Sequence, residues 1–123
     1  MAVIESFRDL RVWQTAMDLV TECYRLTRRF PDCERYGLTS QLQRVAVSVP
    51  ANIAEGHGRG TTKSFLNFLW IANGSLTELE THLLIAVRLG YIDDEELTHV
   101  LDLIRQIGRM LIALRRSLQA RDD

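Results

Sequence analysis

The fold is decided by residues 40–80, which read SQLQRVAVSVPANIAEGHGRGTTKSFLNFLWIANGSLTELE. Apolar residues recur there every three to four positions, a spacing typical of α-helices that bury one face. Glycines at positions 56, 58 and 60 interrupt this pattern, as turns between helices do. The stretch therefore predicts a helical hairpin, with helix two from about Leu38 to Ala54 and helix three from about Thr62 to Leu89.

Helix two contains a proline. Pro50 cannot donate a hydrogen bond to the carbonyl of Ala46, and its ring crowds that carbonyl. We expect a kink between these two residues, with a complete break as the alternative. The apolar stripe of this helix consists of Leu38, Leu42, Val45, Val49 and Ile53.

Helix three is apolar on more sides than one bundle core requires. Its core stripe consists of Phe65, Leu69, Ala72, Leu76, Leu79, Leu83 and Ala86. Further apolar residues lie outside that stripe, namely Leu66, Trp70, Ile71, Leu84 and Ile85. A helix that is apolar on most sides must be covered on most sides, which indicates a second contact surface.

Two more helices flank the hairpin. Helix one is predicted from about Leu10 to Arg29, ends before Pro31, and repeats apolar residues at Leu10, Trp13, Met17, Val20, Tyr24 and Thr27. Helix four follows Asp93, an N-cap with Glu96 at the capping-box position. Its seam consists of Leu97, Val100, Ile104, Ile107, Leu111, Leu114 and Leu118.

These patterns predict an all-α fold, an antiparallel up-down-up-down four-helix bundle with a proline kink in helix two, as one domain over residues 1–123. The surplus apolar surface predicts a homo-oligomer closed by cyclic symmetry. The candidate interface residues are Leu66, Trp70, Ile71, Leu84, Ile85, Leu103 and Met110.

Charge and composition narrow the function classes. Fifteen basic and sixteen acidic residues give a net charge of -1, so the whole chain has no electrostatic attraction for nucleic acid or anionic lipid. Neither a signal peptide nor a membrane span is evident, and we expect a cytoplasmic protein without a membrane partner. Cys23 and Cys33 match no zinc or redox spacing, which suits reduced thiols, with Cys23 buried.

A polar stripe runs along helix two beside its apolar face. Around an antiparallel turn, Arg44 faces Glu78 and Glu55 faces Lys63, which predicts an ion pair between Arg44 and Glu78. Asn52 is placed to satisfy groups freed at the kink. We interpret this stripe as a register device, with a ligand or catalytic cleft as the alternative. The predicted structural polar cluster is Arg44, Ser48, Asn52, Glu55, Ser75 and Glu78.

Motifs for chemistry are incomplete. The sequence GRGTTKS at residues 58–64 ends like a phosphate loop but lacks the required glycines and the preceding strand. A simpler anion site remains, in which Arg59, Lys63 and the first N–H groups of helix three hold phosphate; a plain turn is the alternative. No catalytic residue or cofactor is predicted. No metal site is predicted either, because a di-iron bundle needs two Glu-x-x-His pairs and only one, Glu96 and His99, is present.

The second half of helix four is basic. Part of this charge complements the helix dipole. In a ring, however, a strip repeated in every subunit becomes a large patch that can attract nucleic acid despite the neutral chain. The candidate contacts on this strip are Arg105, Arg109, Arg115 and Arg116.

Several motifs together resemble a known family, the 23S rRNA intervening-sequence proteins, also called the four-helix-bundle protein family. They are LxVWQ at residues 10–14, FP at 30–31, YGL at 36–38, SQxxR at 40–44, SVPANIAEG at 48–56 and FLxIAxGSLxELE at 68–80. The resemblance implies an antiparallel bundle that assembles into a cyclic pentamer. It also implies kinship with the accessory protein of diversity-generating retroelements, a basic pentameric barrel that binds nucleic acid and a reverse transcriptase. No enzymatic activity is established for the family.

The sequence therefore predicts a non-catalytic, cytoplasmic, pentameric bundle that acts as an RNA- or nucleoprotein-associated scaffold. The alternative is a protein-interaction adaptor that does not bind nucleic acid.

Overall fold

The computed structural model describes residues 6–122 and forms four α-helices. They are α1 (Arg11–Thr27), α2 (Leu38–Gly58), α3 (Thr62–Arg88) and α4 (Asp94–Asp122). Single 3-10 turns at Phe7–Asp9 and Asp32–Glu34 precede α1 and α2. No strand occurs within the described range, so the all-α prediction is confirmed.

The helices form a closed ring of neighbours. α1 packs on α2, α2 on α3, α3 on α4, and α4 on α1, with the closest association between α2 and α3. The connections 28–37, 59–61 and 89–93 are short, and short connections join antiparallel neighbours. This arrangement agrees with the predicted up-down-up-down bundle.

The buried face of α1 differs from the predicted one. Met17 and Tyr24 were expected in the core, but they are 43% and 42% exposed. Of the predicted residues, Leu10 and Thr27 are buried, and Trp13 and Val20 pack half-buried against the core. The other buried residues of α1 lie beside the predicted stripe and are Val12, Ala16, Leu19, Cys23 and Leu26. The prediction favoured the larger apolar side chains, whereas the small residues Ala16 and Cys23 lie in the core and the larger Met17 and Tyr24 are exposed. Burial raises the pKa of the Cys23 thiol to about 12, so it stays protonated.

α2 is longer than predicted and is continuous through Pro50. The complete break is therefore not observed, whereas the kink stays a prediction. The helix ends at Gly58 rather than Ala54, so two of the three turn glycines are helical. Only Gly60 of the three has a positive φ, 81°, and this residue makes the reversal into α3.

Gly56 permits a close approach of α2 and α3. A Cβ at this position would lie 2.6 Å from the Cβ of Phe68 and 3.2 Å from Cδ1 of Phe65. Since Gly56 is buried where α3 begins, its lack of a side chain brings the two helices together beside the turn.

The predicted core stripes of α2, α3 and α4 are largely confirmed. All seven stripe residues of α3 are buried, and in α4 and α2 only Leu114 and Leu38 are half-buried. The apolar residues placed outside the core of α3 are exposed: Trp70 by 55%, Ile71 by 43%, Leu84 by 44% and Ile85 by 40%. The remaining candidate interface residues, Leu66, Leu103 and Met110, are half-buried against the core.

Polar side chains fix the end of the bundle where α2 and α4 begin. Asp93 and Glu96 form the predicted capping box: Asp93 Oδ1 accepts from the N–H of Glu96 (2.8 Å), and Glu96 Oε1 accepts from that of Asp93 (3.2 Å). Glu34 accepts from the N–H of Leu38 (3.1 Å) and from the Tyr91 hydroxyl (2.8 Å). These two hydrogen bonds lower the pKa of Glu34 and connect the start of α2 to the turn between α3 and α4.

Candidate functional site

A polar groove of about 400 Å³ lies between α2 and α3. Five of the six predicted cluster residues line it, namely Arg44, Ser48, Asn52, Ser75 and Glu78. Gln41, Val45, Ile71 and His82 complete the lining. These side chains lie on one surface, as the predicted antiparallel register of the two helices requires. We call this surface the α2–α3 groove. The sixth cluster residue, Glu55, does not line it.

The floor of the groove is a small hydrogen-bond network. The hydroxyl oxygens of Ser48 and Ser75 lie 2.8 Å apart, and Ser48 Oγ also donates to the carbonyl of Val45 at 2.6 Å. Asn52 Nδ2 donates to the carbonyl of Ser48 at 2.7 Å. Asn52 was expected to satisfy groups freed by Pro50, but its side chain donates to the carbonyl of Ser48 and not to that of Ala46. Ser48 and Ser75 thus connect the two helices.

The predicted ion pair between Arg44 and Glu78 is absent from the described residues. Both side chains are exposed on the rim of the groove, where water solvates each charge and pairing gains little. Glu55 pairs with Arg59 one turn away (3.3 Å) rather than with Lys63. The uncharged serines, and not the charges, therefore cross between α2 and α3.

The groove has no arrangement for nucleophilic catalysis. The hydroxyls of Ser48 and Ser75 are hydrogen-bonded to each other, and that of Ser48 also to the carbonyl of Val45, so neither hydroxyl is activated by an imidazole. Nδ1 of His82 is buried without a hydrogen-bond partner. Within residues 6–122, no three His, Cys, Asp or Glu side chains are grouped closely enough to hold a metal ion.

The outer face of α4 carries a row of exposed arginines, Arg105, Arg109 and Arg116. Their spacing of four and seven residues puts them on one face, and Ile112, 44% exposed, lies between the last two. Among the described residues, only Arg105 of this row makes an ion pair, at 3.9 Å from Asp102. We call these three residues the α4 arginine row.

Arg115 has a different environment from the rest of the predicted basic strip. Its guanidinium carbon lies 3.3 Å from the centre of the Trp70 ring, a cation–π stack between α4 and α3. Its Nε is buried without a hydrogen-bond partner. Two residues that the sequence assigned to different surfaces, Trp70 to self-association and Arg115 to anion binding, are thus in direct contact.

The candidate anion site at the start of α3 is only partly formed. Arg59 pairs with Glu55 and lies over the ring of Phe68 at 5.1 Å, so it is already engaged. Lys63 is exposed. Thr61 caps the helix, since its Oγ1 accepts from the N–H of Ser64 at 3.2 Å, which uses one of the N–H groups an anion would need.

A family profile identifies the chain. The profile described as 23S rRNA-intervening sequence protein matches residues 8–113. The chain belongs to this family. The match spans all of α1, α2 and α3 and most of α4, so the predicted resemblance is confirmed.

A solved structure shows the same fold as this intervening-sequence protein. It is a protein of unknown function from the S23 ribosomal protein family of Bacteroides thetaiotaomicron, with a TM-score of 0.75 and 22% sequence identity. The alignment covers 85% of this chain and 97% of that one. No curated protein sequence matches the chain. Within residues 6–122, no helix is both long and apolar enough to cross a membrane.

Sequence reasoning missed an ion cluster between α1 and α4 of the intervening-sequence protein. Arg29 pairs with Glu96 across the helices, Arg25 pairs with Glu22, and His99 Nε2 lies 3.8 Å from Glu22 Oε2. The only sequence signal was the basic end of α1, because the acidic start of α4 becomes its neighbour only once the bundle closes. These charges already have partners, but one member of each pair is more than half exposed, so the cluster contributes little to stability.

Proposed function

We propose that this intervening-sequence protein is a non-catalytic, homo-oligomeric scaffold that binds RNA through the α4 arginine row. The observation that carries the proposal is the row itself. It presents three guanidinium groups on one exposed helix face, over about 16 Å at 1.5 Å per residue. Arginine forms bidentate hydrogen bonds with phosphate, and a row of this length reaches several successive phosphates of one strand.

Self-association would repeat the local basic row without making the net charge positive. A single chain has a net charge of -1, whereas a ring repeats the arginine row in every subunit and produces a long basic surface. The resemblance implies a pentamer, and apolar surface supports self-association. Exposed large apolar side chains cluster on α3 and directly after it, at Trp70, Ile71, Leu84, Ile85 and Leu89.

We place the main interface at the C-terminal part of α3. Leu84, Ile85 and Leu89 are 44%, 40% and 53% exposed within six consecutive residues. Ile71 lines the α2–α3 groove and Trp70 is stacked with Arg115, so these two lie on different sides of the helix. Exposed apolar clusters of this kind mark protein contacts.

RNA binding is tested by its salt dependence. We expect the wild-type chain to bind a fluorescein-labelled single-stranded RNA, with an affinity that falls steeply as salt rises, because each neutralised phosphate releases counterions. Replacing Arg105, Arg109 and Arg116 together by Gln should lower the slope of log K against log salt by about 2, at about 0.7 per phosphate contact. Fluorescence anisotropy over a salt series measures both.

The matched control makes the same change of charge away from the row. Arg28, Arg35 and Arg44 are exposed, and none of them lies on a helix that contacts α4 along the row, so we expect their triple replacement by Gln to leave the slope unchanged. Equal losses in the two triple variants would contradict a role for the α4 row, and the absence of RNA binding at low salt would contradict the proposed function.

A second candidate function is a protein-interaction adaptor without nucleic acid. The exposed apolar cluster of α3 favours it, since that surface suits any protein partner as well as a second copy. If the chain binds RNA and loses that binding when Arg105, Arg109 and Arg116 are replaced by Gln, this alternative is excluded.

A further inference from the structure

We infer that Trp70, stacked on Arg115, is a platform for an unpaired RNA base, so that the chain prefers single-stranded RNA to duplex. The inference rests on the proposed function and names the class of RNA recognised. It gives one role to two residues that the sequence assigned to separate surfaces.

The geometry leaves one face of the indole available. Arg115 covers the other face at 3.3 Å from the ring centre, yet Trp70 remains 55% exposed. The exposed area therefore belongs to the opposite face and the ring edge. A large indole that is held flat by a guanidinium and open on its other side offers a stacking surface for a base.

The surrounding charge favours a nucleic acid as the occupant. Arg115 makes no ion pair among the described residues, so its positive charge remains beneath the indole. Arg116 follows it in the sequence and belongs to the exposed arginine row, so the row includes the residue next to the one that stacks on the indole. Sequence-independent binding of single strands combines such a basic track with aromatic stacking.

The same geometry disfavours duplex RNA. Paired bases are stacked on one another and cannot lie on a side chain, whereas bases in loops, bulges and ends can be splayed out onto it. Duplex contacts would be restricted to the arginine row. Discrimination between the two forms should therefore depend on Trp70, and the salt dependence on the row.

The test uses a Trp13→Phe background, in which Trp70 is the only tryptophan. We expect a short oligouridine strand to quench the fluorescence of Trp70 and to bind more tightly than a blunt RNA duplex of the same length. Trp70→Leu should weaken binding of the single strand about 5- to 150-fold, the usual range for loss of one base–aromatic stack, with the salt slope unchanged. Trp70→Phe, which retains a ring, should restore most of the affinity.

Further measurements distinguish failure of the base-stacking inference from failure of the proposed RNA binding. Arg116→Gln should lower the salt slope by about 1 or less and leave the preference for the single strand intact. Equal binding of single strand and duplex, or unchanged binding by Trp70→Leu, would overturn this inference while leaving the proposed function standing. A lower oligomer mass for Trp70→Leu by light scattering would overturn it in favour of a subunit contact. If neither the single strand nor the duplex binds, both the proposed function and this inference are contradicted.

Discussion

At the scale of single residues, the spacing between α2 and α3 depends on one missing side chain. We predict that Gly56→Ala destabilises the fold by about 1–3 kcal/mol, because its Cβ would lie 2.6 Å from the Cβ of Phe68 and force the helices apart. Gly58→Ala on the same helix is the matched control. No atom lies within 4 Å of a Cβ at that position, and alanine is the better helix former.

Urea unfolding measures both glycine variants. The expected result is a loss of free energy of unfolding for Gly56→Ala, against no change or a gain of up to about 1 kcal/mol for Gly58→Ala. Similar changes in the two variants would contradict the close approach.

Glu34 predicts a dependence of stability on pH. Its pKa is lowered from 4.5 by the hydrogen bonds from Leu38 and Tyr91, so the folded state favours the ionised carboxylate. Stability from this group is fully present above the unfolded pKa and is lost as the pH falls through the lower folded pKa. We expect Glu34→Gln to destabilise the protein at pH 7 and to approach the wild type as the pH falls below 4.5.

Unfolding midpoints of wild type and Glu34→Gln between neutral and acidic pH check this expectation. Glu80→Gln, on α3 and away from the hydrogen bonds of Glu34, should show no such convergence. A difference between wild type and Glu34→Gln that stays constant with pH would show that the two hydrogen bonds do not favour the ionised form.

At the scale of elements, the start of α4 depends on its capping box. Asp93→Ala removes the acceptor for the N–H of Glu96 and should cost about 1 kcal/mol. Asp94→Ala is the neighbouring control, since the recorded contact of Asp94 is made by its backbone carbonyl with Thr98 and survives the change. Equal losses of stability in the two variants would contradict the cap.

The helices themselves were predictable because the apolar spacing in α2, α3 and α4 is regular and the caps are explicit. The face of α1 was predicted only in part. Leu10 and Thr27 are buried, but the core residues Ala16 and Cys23 were missed because they are smaller than the exposed Met17 and Tyr24. The end of α2 was placed too early, because Gly56 was interpreted as a turn residue although its small size serves helix packing.

The candidate sites were harder to predict than the helices. The α2–α3 register followed from the short turn, and both Ser48 and Ser75 were assigned to the polar cluster, but their hydrogen bond to each other was not predicted. The stack of Arg115 on Trp70 was not predicted, because it depends on which sides of α3 and α4 meet across a longer connection. A pattern of residue types shows which face is polar or apolar, but not which of several exposed side chains will touch.

At the scale of the whole molecule, the proposed scaffold depends on assembly. Leu84 lies in the exposed apolar cluster at the C-terminal part of α3, and a charge placed there would be buried unpaired between subunits. We expect Leu84→Glu to dissociate the oligomer and to weaken RNA binding as the repeated rows separate. Val47→Glu, at a residue equally exposed on α2, should do neither.

The measurement that tests this account most directly is the mass of the wild-type chain in solution, by size-exclusion chromatography with light scattering at micromolar concentration. The account predicts a single species of several chains, at five times 14.1 kDa if the assembly is the pentamer that the resemblance implies. A single species of 14.1 kDa would contradict it, because one chain with a net charge of -1 would then have to bind RNA alone and leave the apolar cluster of α3 in water.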